Sequence, residues 1–414
     1  MWYGVQQSRG LLELTSIGIV AYTASEHNGV IRIDRACGNR STTYTATEWE
    51  KLTDFLVQDK GAALHIVWNL PQFANRIFSL LPLTIQRQLE KQVRVTYGGV
   101  KIFSTEHLLG LTKMKLLQGN IHQRLENNFY GISHWLPAEV KEPKLPRELE
   151  QLGYEVIAGL EKLGIYPSKL TSPIGLLSEQ LDPEKLPTIY NFNEEWLEAM
   201  DWANQVAGYE WNREYRKVKG RVHQYDLTSA YSSFMLDLPD TREFKLYPAE
   251  HSDWGIVEGK LRSDSKVLPV NKVARYFTTE EIEWVEEHNL GNFDLKEGLY
   301  FRFGSSKPYR AIVNKLLQAR HNNNGDMIST LAKRIANGLS GKFDQLNKDG
   351  SWGELFNPIL ALMVRSRCRL RVADFIYDNE LQDKLVKVQV DSVYTTENIR
   401  LPKESVAGQW RKVK

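Results

Sequence analysis

Residues 222–236 have the sequence VHQYDLTSAYSSFML, and this stretch decides how the rest of the chain is interpreted. VHQYDL has the pattern of a short strand, and SAYSSFML has the pattern of a helix that follows it. Asp226 is therefore predicted at the end of a strand, where α/β sheets present groups that bind ligands. A carboxylate in that place can hold a metal ion. The alternative is that Asp226 only starts a turn or caps the helix.

A second acidic candidate lies in residues 385–396, LVKVQVDSVYTT. Valines alternate with polar residues here, so Gln389 and Asp391 are predicted on the same polar face of a strand. Asp391 and Ser392 then form a hairpin turn before VYTT. This turn would place Asp391 at an exposed tip of a sheet, where a second strand could bring another carboxylate beside it. The alternative is an Asx turn with a purely structural role.

Residues 309–343 have the pattern of two helices joined by a turn. Apolar residues recur at spacings of three and four on both sides of HNNNG, which predicts an antiparallel helical hairpin. Arg320, Lys333 and Arg334 would lie on its polar faces. Lysine and arginine make charge-assisted hydrogen bonds to phosphate oxygens, so the hairpin could bind a triphosphate. The alternative is a solvated basic face on a structural hairpin.

Two further basic stretches precede the acidic candidates along the chain. EYRKVKGR (214–221) contains Lys217, Lys219 and Arg221, and RSRCRLR (365–371) contains Arg365 and Arg369. The apolar residues around the second stretch fit a helix better than a strand. Both stretches are predicted to contact DNA phosphates, and the alternative for each is a solvated helix face.

The N-terminal part has the pattern of an α/β layer. Strand-like stretches surround the helix-like TEWEKLTDFLVQ up to about residue 70. A polar stretch with prolines, residues 136–150, indicates a domain boundary near residue 140. A helix with leucines at helical spacing follows this boundary.

Composition predicts a soluble, globular, intracellular protein with more than one domain. The chain has 414 residues, of which 42% are hydrophobic and 25% charged, and its 53 basic and 51 acidic residues give a net charge of +2. Such a charge neither requires nor excludes a nucleic-acid partner. Cys37 and Cys368 are too few for a disulfide scaffold. The N-terminus does not have the pattern of a signal peptide, and no apolar run is long enough to span a membrane.

Taken in order, these blocks resemble the three polymerase motifs of family B DNA polymerases, from about residue 205 onward. YDLTSAYSS is similar to the first motif, and VQVDSVYTT is similar to the third. LAKRIANGLSGKF is similar to the second, with Lys333, Asn337 and Gly341 at the matching positions. The GKF of the second motif and the linking stretches RYFTTEEIEWVEEHNL and NPILALMVRSRCRLRVADF are most similar to the protein-primed phage branch.

The resemblance implies an α+β multidomain fold, with an RNase H-like exonuclease domain before a palm and two-helix fingers of the right-hand type. The implied domains are an exonuclease-like domain (1–140), a helical connector (141–205), the first part of the palm (206–306), the fingers (307–343) and the second part of the palm (344–414).

The resemblance also implies a DNA-directed DNA polymerase that extends a primer with deoxynucleotides. Asp226, Asp391 and the carbonyl of Leu227 would hold two Mg²⁺ ions, for which Mn²⁺ can substitute. The incoming nucleotide would be bound by a second set of residues, namely Ser229, Tyr231, Arg320, Lys333 and Asn337. Tyr231 would stack beneath the sugar and exclude a 2′-hydroxyl. The partners are therefore primer–template DNA and deoxynucleoside triphosphates, with no membrane.

The polymerase motifs depart from the family pattern at two positions. Gln389 replaces the first aspartate of the third motif, and Ser340 replaces a tyrosine of the second. Neither insertion of the protein-primed branch has room between the motifs, and no thumb segment is evident. An accessory subunit that supplies a thumb or clamp is therefore expected.

The N-terminal part resembles the exonuclease domain of the family but lacks its acids. Gly4 and Gln6 lie at the positions expected for the first pair, and Ala74 replaces a second-motif aspartate, although Asn69 matches. Residues 151–153 offer no aspartate for the third motif. Since amides and alanine cannot build a two-metal hydrolytic site, no 3′-5′ proofreading is expected.

Two other functions stay open at this point. The chain could be a catalytically weak or inactive, polymerase-like scaffold that binds DNA in a replication complex, which Gln389 and Ser340 favour. It could also be a primase or an untemplated terminal transferase on the same palm. The expected location is the cytoplasm, including the host cytoplasm if the protein comes from a virus or a plasmid.

Overall fold

The structure is a computed structural model of the chain, which forms two compact units. The first unit comprises Met1–Gln180 and Asn323–Arg334, and the second comprises Leu181–Asn322 and Ile335–Lys414. The structure describes residues 18–28, 30–38, 40–49, 52, 55–56, 64–91, 94–97, 100–104, 113–118, 125–137, 139–165, 170, 209–212, 220–246, 249, 252–270, 274–322, 326–345, 351–402 and 406–413.

The first unit is built on a mixed sheet of eight strands with helices beside it. Its elements are β1 (Ile19–His27), β2 (Val30–Cys37), β3 (Arg40–Ala46), β4 (Leu64–Val67), α1 (Leu70–Phe78), α2 (Leu83–Lys91), β5 (Arg94–Tyr97), β6 (Val100–Ser104), β7 (Lys113–Gln118), β8 (Leu125–Gly131) and α3 (Pro146–Lys162). The strand order is β3-β2-β1-β4-β8-β7-β6-β5, and β4 runs parallel to both β1 and β8. Strands β1, β2 and β4 confirm the strands predicted here, whereas the helix predicted at TEWEKLTDFLVQ lies largely outside the described residues.

Helix α3 belongs to the first unit, whereas the sequence pattern placed it in a connector over residues 141–205. Its apolar face packs on β1, β2 and β4. Gly153 lies at the contact, because a Cβ there would come within 2.5 Å of Ile66 Cδ1 and 3.1 Å of Ile19 Cδ1. The predicted boundary near residue 140 is therefore not a boundary between compact units. Most of the remaining connector lies outside the described residues.

The second unit contains two antiparallel sheets and five helices in its described residues. Its elements are β9 (Tyr209–Asn212), β10 (His223–Leu227), α4 (Ala230–Phe234), β11 (Asp240–Leu246), β12 (Trp254–Arg262), β13 (Tyr276–Thr278), α5 (Thr279–Glu287), β14 (Asn292–Gly304), α6 (Arg310–Asn322), α7 (Met327–Lys342), α8 (Pro358–Asp378), β15 (Leu385–Val390), β16 (Ser392–Thr395) and β17 (Trp410–Lys412). Helix α7 begins in the segment that clusters with the first unit.

The five-stranded sheet of the second unit carries both acidic candidates. Its strand order is β17-β10-β16-β15-β9. Helix α8 packs against this sheet, and buried apolar side chains from both, such as Val372 and Val388, form one hydrophobic cluster. Asn357 caps the N-terminus of α8 by accepting a hydrogen bond from the Leu360 N–H at 3.2 Å, and Pro358 occupies the first turn, where its missing N–H costs nothing. The helix predicted for this stretch is confirmed.

The other sheet of the second unit has the order β11-β14-β12-β13 and was not predicted. Helix α5 packs on it and begins with a capping box in which Thr278 and Glu281 each bind the other's backbone N–H. Helices α6 and α7 confirm the two helices predicted around HNNNG. Among the described residues, no helix is long and apolar enough to cross a membrane.

Candidate active site

Asp226 lies on the central part of the five-stranded sheet, near the end of β10. Strand β16 pairs with one edge of β10 and strand β17 pairs with the other, which places Asp226 opposite Ser392 and Arg411. Its neighbours in sequence, Tyr225 and Leu227, are buried in the apolar cluster. Because successive side chains of a strand point to opposite faces, Asp226 points away from that cluster. The predicted strand therefore presents the carboxylate on the polar face.

Asp391 lies in the two-residue turn of the hairpin formed by β15 and β16. Gln389 pairs with Ser392 across the hairpin, and the carbonyl of Asp391 accepts a hydrogen bond from the Leu227 N–H at 2.9 Å. This backbone bond ties the turn to the end of β10. The structure thus brings the backbones of Asp226 and Asp391 together, whereas the turn predicted at Asp391–Ser392 lies one residue earlier, at Val390–Asp391.

The turn that holds Asp391 contains a strained residue. Val390 has φ 57°, in the left-handed region that β-branched residues avoid. An L-residue in this conformation costs about 1–2 kcal/mol. Pairing of Val390 with Tyr209 on β9 and the bond from Leu227 to Asp391 hold the turn in place on both sides. Strain of this kind concentrates at sites where one geometry has to be maintained.

Both oxygens of the Asp226 carboxylate accept hydrogen bonds from the protein. Ser392 Oγ donates to Oδ1 at 2.8 Å, while Arg411 donates to Oδ2 from Nε at 3.2 Å and from Nη2 at 2.7 Å. The side chain of Arg411 is 49% exposed and that of Asp226 is 20% exposed. Arg411 was not among the predicted site residues, since nothing in its local sequence indicates that β17 pairs with β10.

A second arginine lies close to this pair. Arg320, near the end of α6, donates from Nη1 to Ser229 Oγ. Ser229 has φ 51° and immediately precedes α4. The pKa of Arg320 is lowered, first by burial and then by the positive charge of Arg411, while Asp226 acts in the opposite direction. The predicted residues Ser229 and Arg320 are therefore brought together with Asp226.

Tyr231 lies on α4 at the edge of the apolar cluster. Burial raises the pKa of its hydroxyl, and the charge of Asp391 adds to this effect while Arg365 opposes it. Cys368 of α8 is buried nearby, and burial together with Asp391 raises the pKa of its thiol to about 12. Tyr231 is thus a neutral side chain between α8 and the acidic turn.

Asn337 and Lys333 lie one turn apart on α7. Ser232 of α4 donates to Asn337 Oδ1 at 3.5 Å, which connects Asn337 to the helix that carries Tyr231. Ser340, at the position where the family has a tyrosine, donates to the carbonyl of Asn337 at 2.9 Å. Lys333 is exposed. Its predicted role in nucleotide binding stays a prediction.

The five residues predicted to contact DNA differ in how they lie in the structure. Lys217 and Lys219 lie outside the described residues, and Arg221 is exposed just before β10. Arg365 is half-buried and forms an ion pair with Asp344.

Arg369 corrects the prediction for the basic stretch on α8. The residue is 2% exposed and its guanidinium binds Glu281 of α5, with Nε 3.1 Å from Oε1. A buried, paired guanidinium has no surface to offer to a phosphate, so Arg369 does not belong to the DNA contacts. Its neighbour Arg367 similarly binds Glu280, from Nη2 at 2.8 Å.

The donor chemistry of the site suits magnesium. Carboxylates of Asp226 and Asp391 and the carbonyl of Leu227 are hard oxygen ligands, which Mg²⁺ prefers. Among the described residues, no cluster of three or more histidine, cysteine, aspartate or glutamate side chains could hold a metal. Mg²⁺ usually takes one or two protein carboxylates together with substrate phosphates, so two carboxylates could be enough to hold it. Gln389, which replaces the third acid, is exposed and accepts a hydrogen bond from Lys387 at 2.8 Å.

The positions predicted for the second and third nuclease motifs have structural roles in the first unit. Asn69 caps α1, since its Oδ1 accepts a hydrogen bond from the Gln72 N–H at 3.0 Å. Ala74 is fully buried in the hydrophobic cluster beneath that helix. Gly153 packs against Ile66, which leaves no room for a side chain at this position. Gly4 and Gln6 lie outside the described residues.

The fold is that of a DNA polymerase with mixed helices and sheets. Solved structures of phi29 DNA polymerase share it across 95% of this chain. The complex with primer–template DNA and incoming nucleotide substrates is 13% identical, with a TM-score of 0.64 and 83% of its own chain covered. The complex with primer–template DNA alone is 12% identical, with a TM-score of 0.65 and 83% coverage. The complex with single-stranded DNA is 13% identical, with a TM-score of 0.62 and 84% coverage.

No protein-family model and no curated protein sequence match this chain. The likeness is therefore one of fold. It confirms the predicted resemblance to the protein-primed branch of family B polymerases at that level.

Proposed function

We propose that the chain is a template-directed DNA polymerase that transfers deoxynucleotides to a primer 3′-hydroxyl by a two-metal mechanism. The observation that carries this proposal is the hydrogen bond from the Leu227 N–H to the Asp391 carbonyl, which joins the two acidic motifs within the fold of phi29 DNA polymerase. This bond brings together the backbones that carry the two acids, which come from blocks 165 residues apart (391 − 226) in the sequence, and a shared metal site needs the two acids to be close.

Asp226, Asp391 and the carbonyl of Leu227 would hold the ions. When bound, the two Mg²⁺ ions would activate the primer hydroxyl and neutralise the charge on the leaving pyrophosphate. The protein itself orients the carboxylates that would bind the ions. Strand β10 and the β15–β16 turn fix the two carboxylates, and Ser392 holds one oxygen of Asp226 by a hydrogen bond of 2.8 Å.

Arg320 would bind the triphosphate of the incoming nucleotide beside Ser229, with Lys333 as a further phosphate contact. Guanidinium groups suit this role because their planar N–H donors match phosphate oxygens and their charge persists when they are partly buried. Tyr231 would lie beneath the sugar. Its burial at the edge of the apolar cluster leaves a rigid aromatic side chain that could exclude a 2′-hydroxyl.

The proposal includes an absence of 3′-5′ proofreading and a primer–template DNA as partner. The first rests on Ala74 and Gly153, which stand at predicted nuclease positions and which the structure uses in a hydrophobic core and a close contact between helix and sheet. The second is supported by the phi29 polymerase complexes that share the fold. The proposal also includes an accessory subunit with a thumb or clamp function, which was expected from the sequence.

The decisive experiment is extension of a 5′-labelled primer on a template, with Mg²⁺ or Mn²⁺. Wild type should add nucleotides that the template specifies. Asp226→Asn and Asp391→Asn should each lower the rate by at least about 100-fold, which corresponds to about 2.7 kcal/mol of transition-state stabilisation. Asp264→Asn is the matched control, since Asp264 is an exposed acid of the same unit. Equal rates for all four proteins would contradict the site assignment.

A DNA-binding scaffold without catalysis is the second candidate, and two observations favour it. The guanidinium of Arg411 neutralises Asp226 in the absence of metal, and Gln389 removes a third negative charge. Wild type that binds primer–template DNA tightly but adds no nucleotide with either metal would support this candidate against the polymerase.

A further inference from the structure

Arg411 forms an ion pair with Asp226, whose carboxylate the proposed function assigns to metal binding. Two of its nitrogens, Nε and Nη2, donate to the same oxygen of Asp226 at 3.2 and 2.7 Å. Ser392 donates a single hydrogen bond to the other oxygen, which keeps a lone pair for a ligand, so a metal ion that binds Asp226 has to compete mainly with Arg411. The arginine is the stronger competitor because it carries a full positive charge.

The backbone of Arg411 is fixed, whereas its side chain is not enclosed. Gly408 donates to the Thr228 carbonyl at 2.7 Å, and the Thr228 N–H donates to the Gln409 carbonyl at 2.9 Å. Trp410 is buried and stacks on Phe375, with ring centroids 4.1 Å apart. These contacts hold β17 in register with β10. Because the Arg411 side chain is 49% exposed, its guanidinium can change partners without movement of the strand.

Gly408 allows the segment before β17 to lie close to α4. It has φ 79°, and a Cβ on it would lie 3.3 Å from Ser233 at the end of α4. A side chain at this position would combine left-handed strain with a tight contact. The segment before β17 therefore lies against α4, and Arg320 contacts Ser229 just before the same helix.

Two guanidinium groups thus lie close to the carboxylate of Asp226. The pKa of Arg320 is lowered first by burial and then by the positive charge of Arg411, so the two guanidinium groups repel each other. A polyanion bound beside them would relieve this repulsion and would supply oxygens in the geometry that guanidinium groups bind best. A nucleoside triphosphate is the polyanion that the proposed function brings to this place.

We propose that Arg411 is a positioning residue that exchanges partners: it holds Asp226 when no nucleotide is bound, and it moves to the triphosphate when the metal and the nucleotide enter. This proposal rests on the proposed function. Metal binding displaces the guanidinium from Asp226, and nucleotide binding holds it at the triphosphate. Each ligand should therefore strengthen binding of the other. Free metal alone should therefore bind Asp226 weakly.

The test measures Mn²⁺ affinity by electron paramagnetic resonance, with and without a non-hydrolysable deoxynucleoside triphosphate. The relevant binding is the part that Asp226→Asn removes. We expect Arg411→Gln to tighten nucleotide-free Mn²⁺ binding by about tenfold and to reduce the nucleotide-dependent gain by the same factor. Arg411→Lys should keep the weak nucleotide-free binding of wild type, because it retains the charge.

Lys412→Gln is the matched control, since it removes the same charge from the next residue of β17. Lys412 binds Asn398, and its Nζ lies 5.8 Å from the centroid of the Tyr225 ring rather than on Asp226. This variant should change both affinities by less than about twofold, as expected for a solvated charge that is not on the carboxylate.

Three results would overturn the proposal: no tighter Mn²⁺ binding in Arg411→Gln, an equal effect in Lys412→Gln, or no Mn²⁺ binding that depends on Asp226 in either wild type or Arg411→Gln. Primer extension distinguishes the loss of the role proposed for Arg411 from a failure of the proposed polymerase function. If Asp226→Asn abolishes extension while Arg411→Gln leaves Mn²⁺ binding unchanged, only the role of Arg411 is lost. If Asp226→Asn extends primers like wild type, the polymerase site itself is lost.

Discussion

At the scale of single residues, Tyr231 offers the most direct test of substrate choice. It lies at the edge of the apolar cluster and close enough to Asp391 for that charge to raise the pKa of its hydroxyl. If Tyr231 supports the sugar, Tyr231→Ala should lower the preference for deoxynucleotides over ribonucleotides by about tenfold or more, since the steric barrier to a 2′-hydroxyl is removed. The measurement is the ratio of kcat/KM for the two kinds of nucleotide.

Tyr231→Phe is the control for that prediction. It keeps the ring that blocks the 2′-hydroxyl and removes only the phenolic oxygen, so its preference should stay near that of wild type. A ratio that is the same in Tyr231→Ala as in wild type would remove the assignment of Tyr231 as the barrier.

The two cysteines should differ strongly in reactivity. Cys368 is buried and the pKa of its thiol is raised to about 12, so the thiol stays protonated below that pH. At pH 8 only about one molecule in ten thousand carries the reactive thiolate at this position. Cys37 is only half-buried. Iodoacetamide should therefore label Cys37 alone in the native protein and both cysteines in urea, as read by peptide mass spectrometry.

The variant Cys37→Ser should take up no label until it is denatured. Labelling of Cys368 in the native protein at the rate of Cys37 would show that the core beneath Asp391 opens readily. The same outcome would contradict the close packing of α8 on the five-stranded sheet.

Individual residues also show what a sequence pattern can and cannot predict. Asp226 and Asp391 could be found because each follows a strand pattern at a sheet end, and their approach was inferred from the two blocks together. Arg411 could not, because its partner lies 185 residues away and only the register of β17 on β10 brings them together. Arg369 was misplaced for a related reason: alternation of arginines along α8 does not reveal which of them meets a buried glutamate.

At the scale of elements, α5 and α8 are joined by two arginine–glutamate pairs with different burial. Arg369 and Glu281 are almost completely buried, whereas Arg367 and Glu280 are each 27% exposed. Removal of one partner from a buried pair leaves an uncompensated charge and costs about 3–5 kcal/mol. Arg369→Met should lower the free energy of unfolding by that amount, measured by urea denaturation.

Arg367→Met is the matched control on the same helix, and it should cost less than about 1 kcal/mol because its pair is partly solvated. The double variant Arg369→Met with Glu281→Gln should recover more than half of the loss, since glutamine can still complete the capping box at Thr278. If Arg369→Met instead weakened DNA binding without lowering stability, the corrected role of Arg369 would be wrong.

Elements with a clear period were predictable, and short or non-local ones were not. Helices α6, α7 and α8 follow from apolar residues at helical spacing, and the β15–β16 hairpin follows from alternation around Asp391. The β11-β14-β12-β13 sheet was not predicted, because β13 has only three residues and β14 pairs with β11 and β12, which lie well before it in the sequence. Helix α3 was recognised as a helix but was assigned to a connector, since its period does not reveal the sheet on which it packs.

At the scale of the whole molecule, the polymerase fold covers 95% of the chain although sequence identity with phi29 DNA polymerase is only 13%. At such identity the likeness shows the fold alone, so the activity of each unit has to be tested at its predicted site residues. The second unit carries Asp226 and Asp391 at the predicted polymerase positions, and the first unit carries Ala74 and Gly153 at two predicted nuclease positions.

The first unit should therefore support no 3′-5′ exonuclease activity. A 5′-labelled primer with a mismatched 3′ end, incubated with Mg²⁺ and no nucleotides, should keep its length with wild type. Reinstating an acid at one position should not restore cleavage: Ala74 is fully buried, so Ala74→Asp would place a carboxylate in an apolar core at a cost of several kcal/mol. Shortening of the primer that persists in Asp226→Asn would contradict the prediction, because it would require a hydrolytic site separate from the polymerase carboxylates.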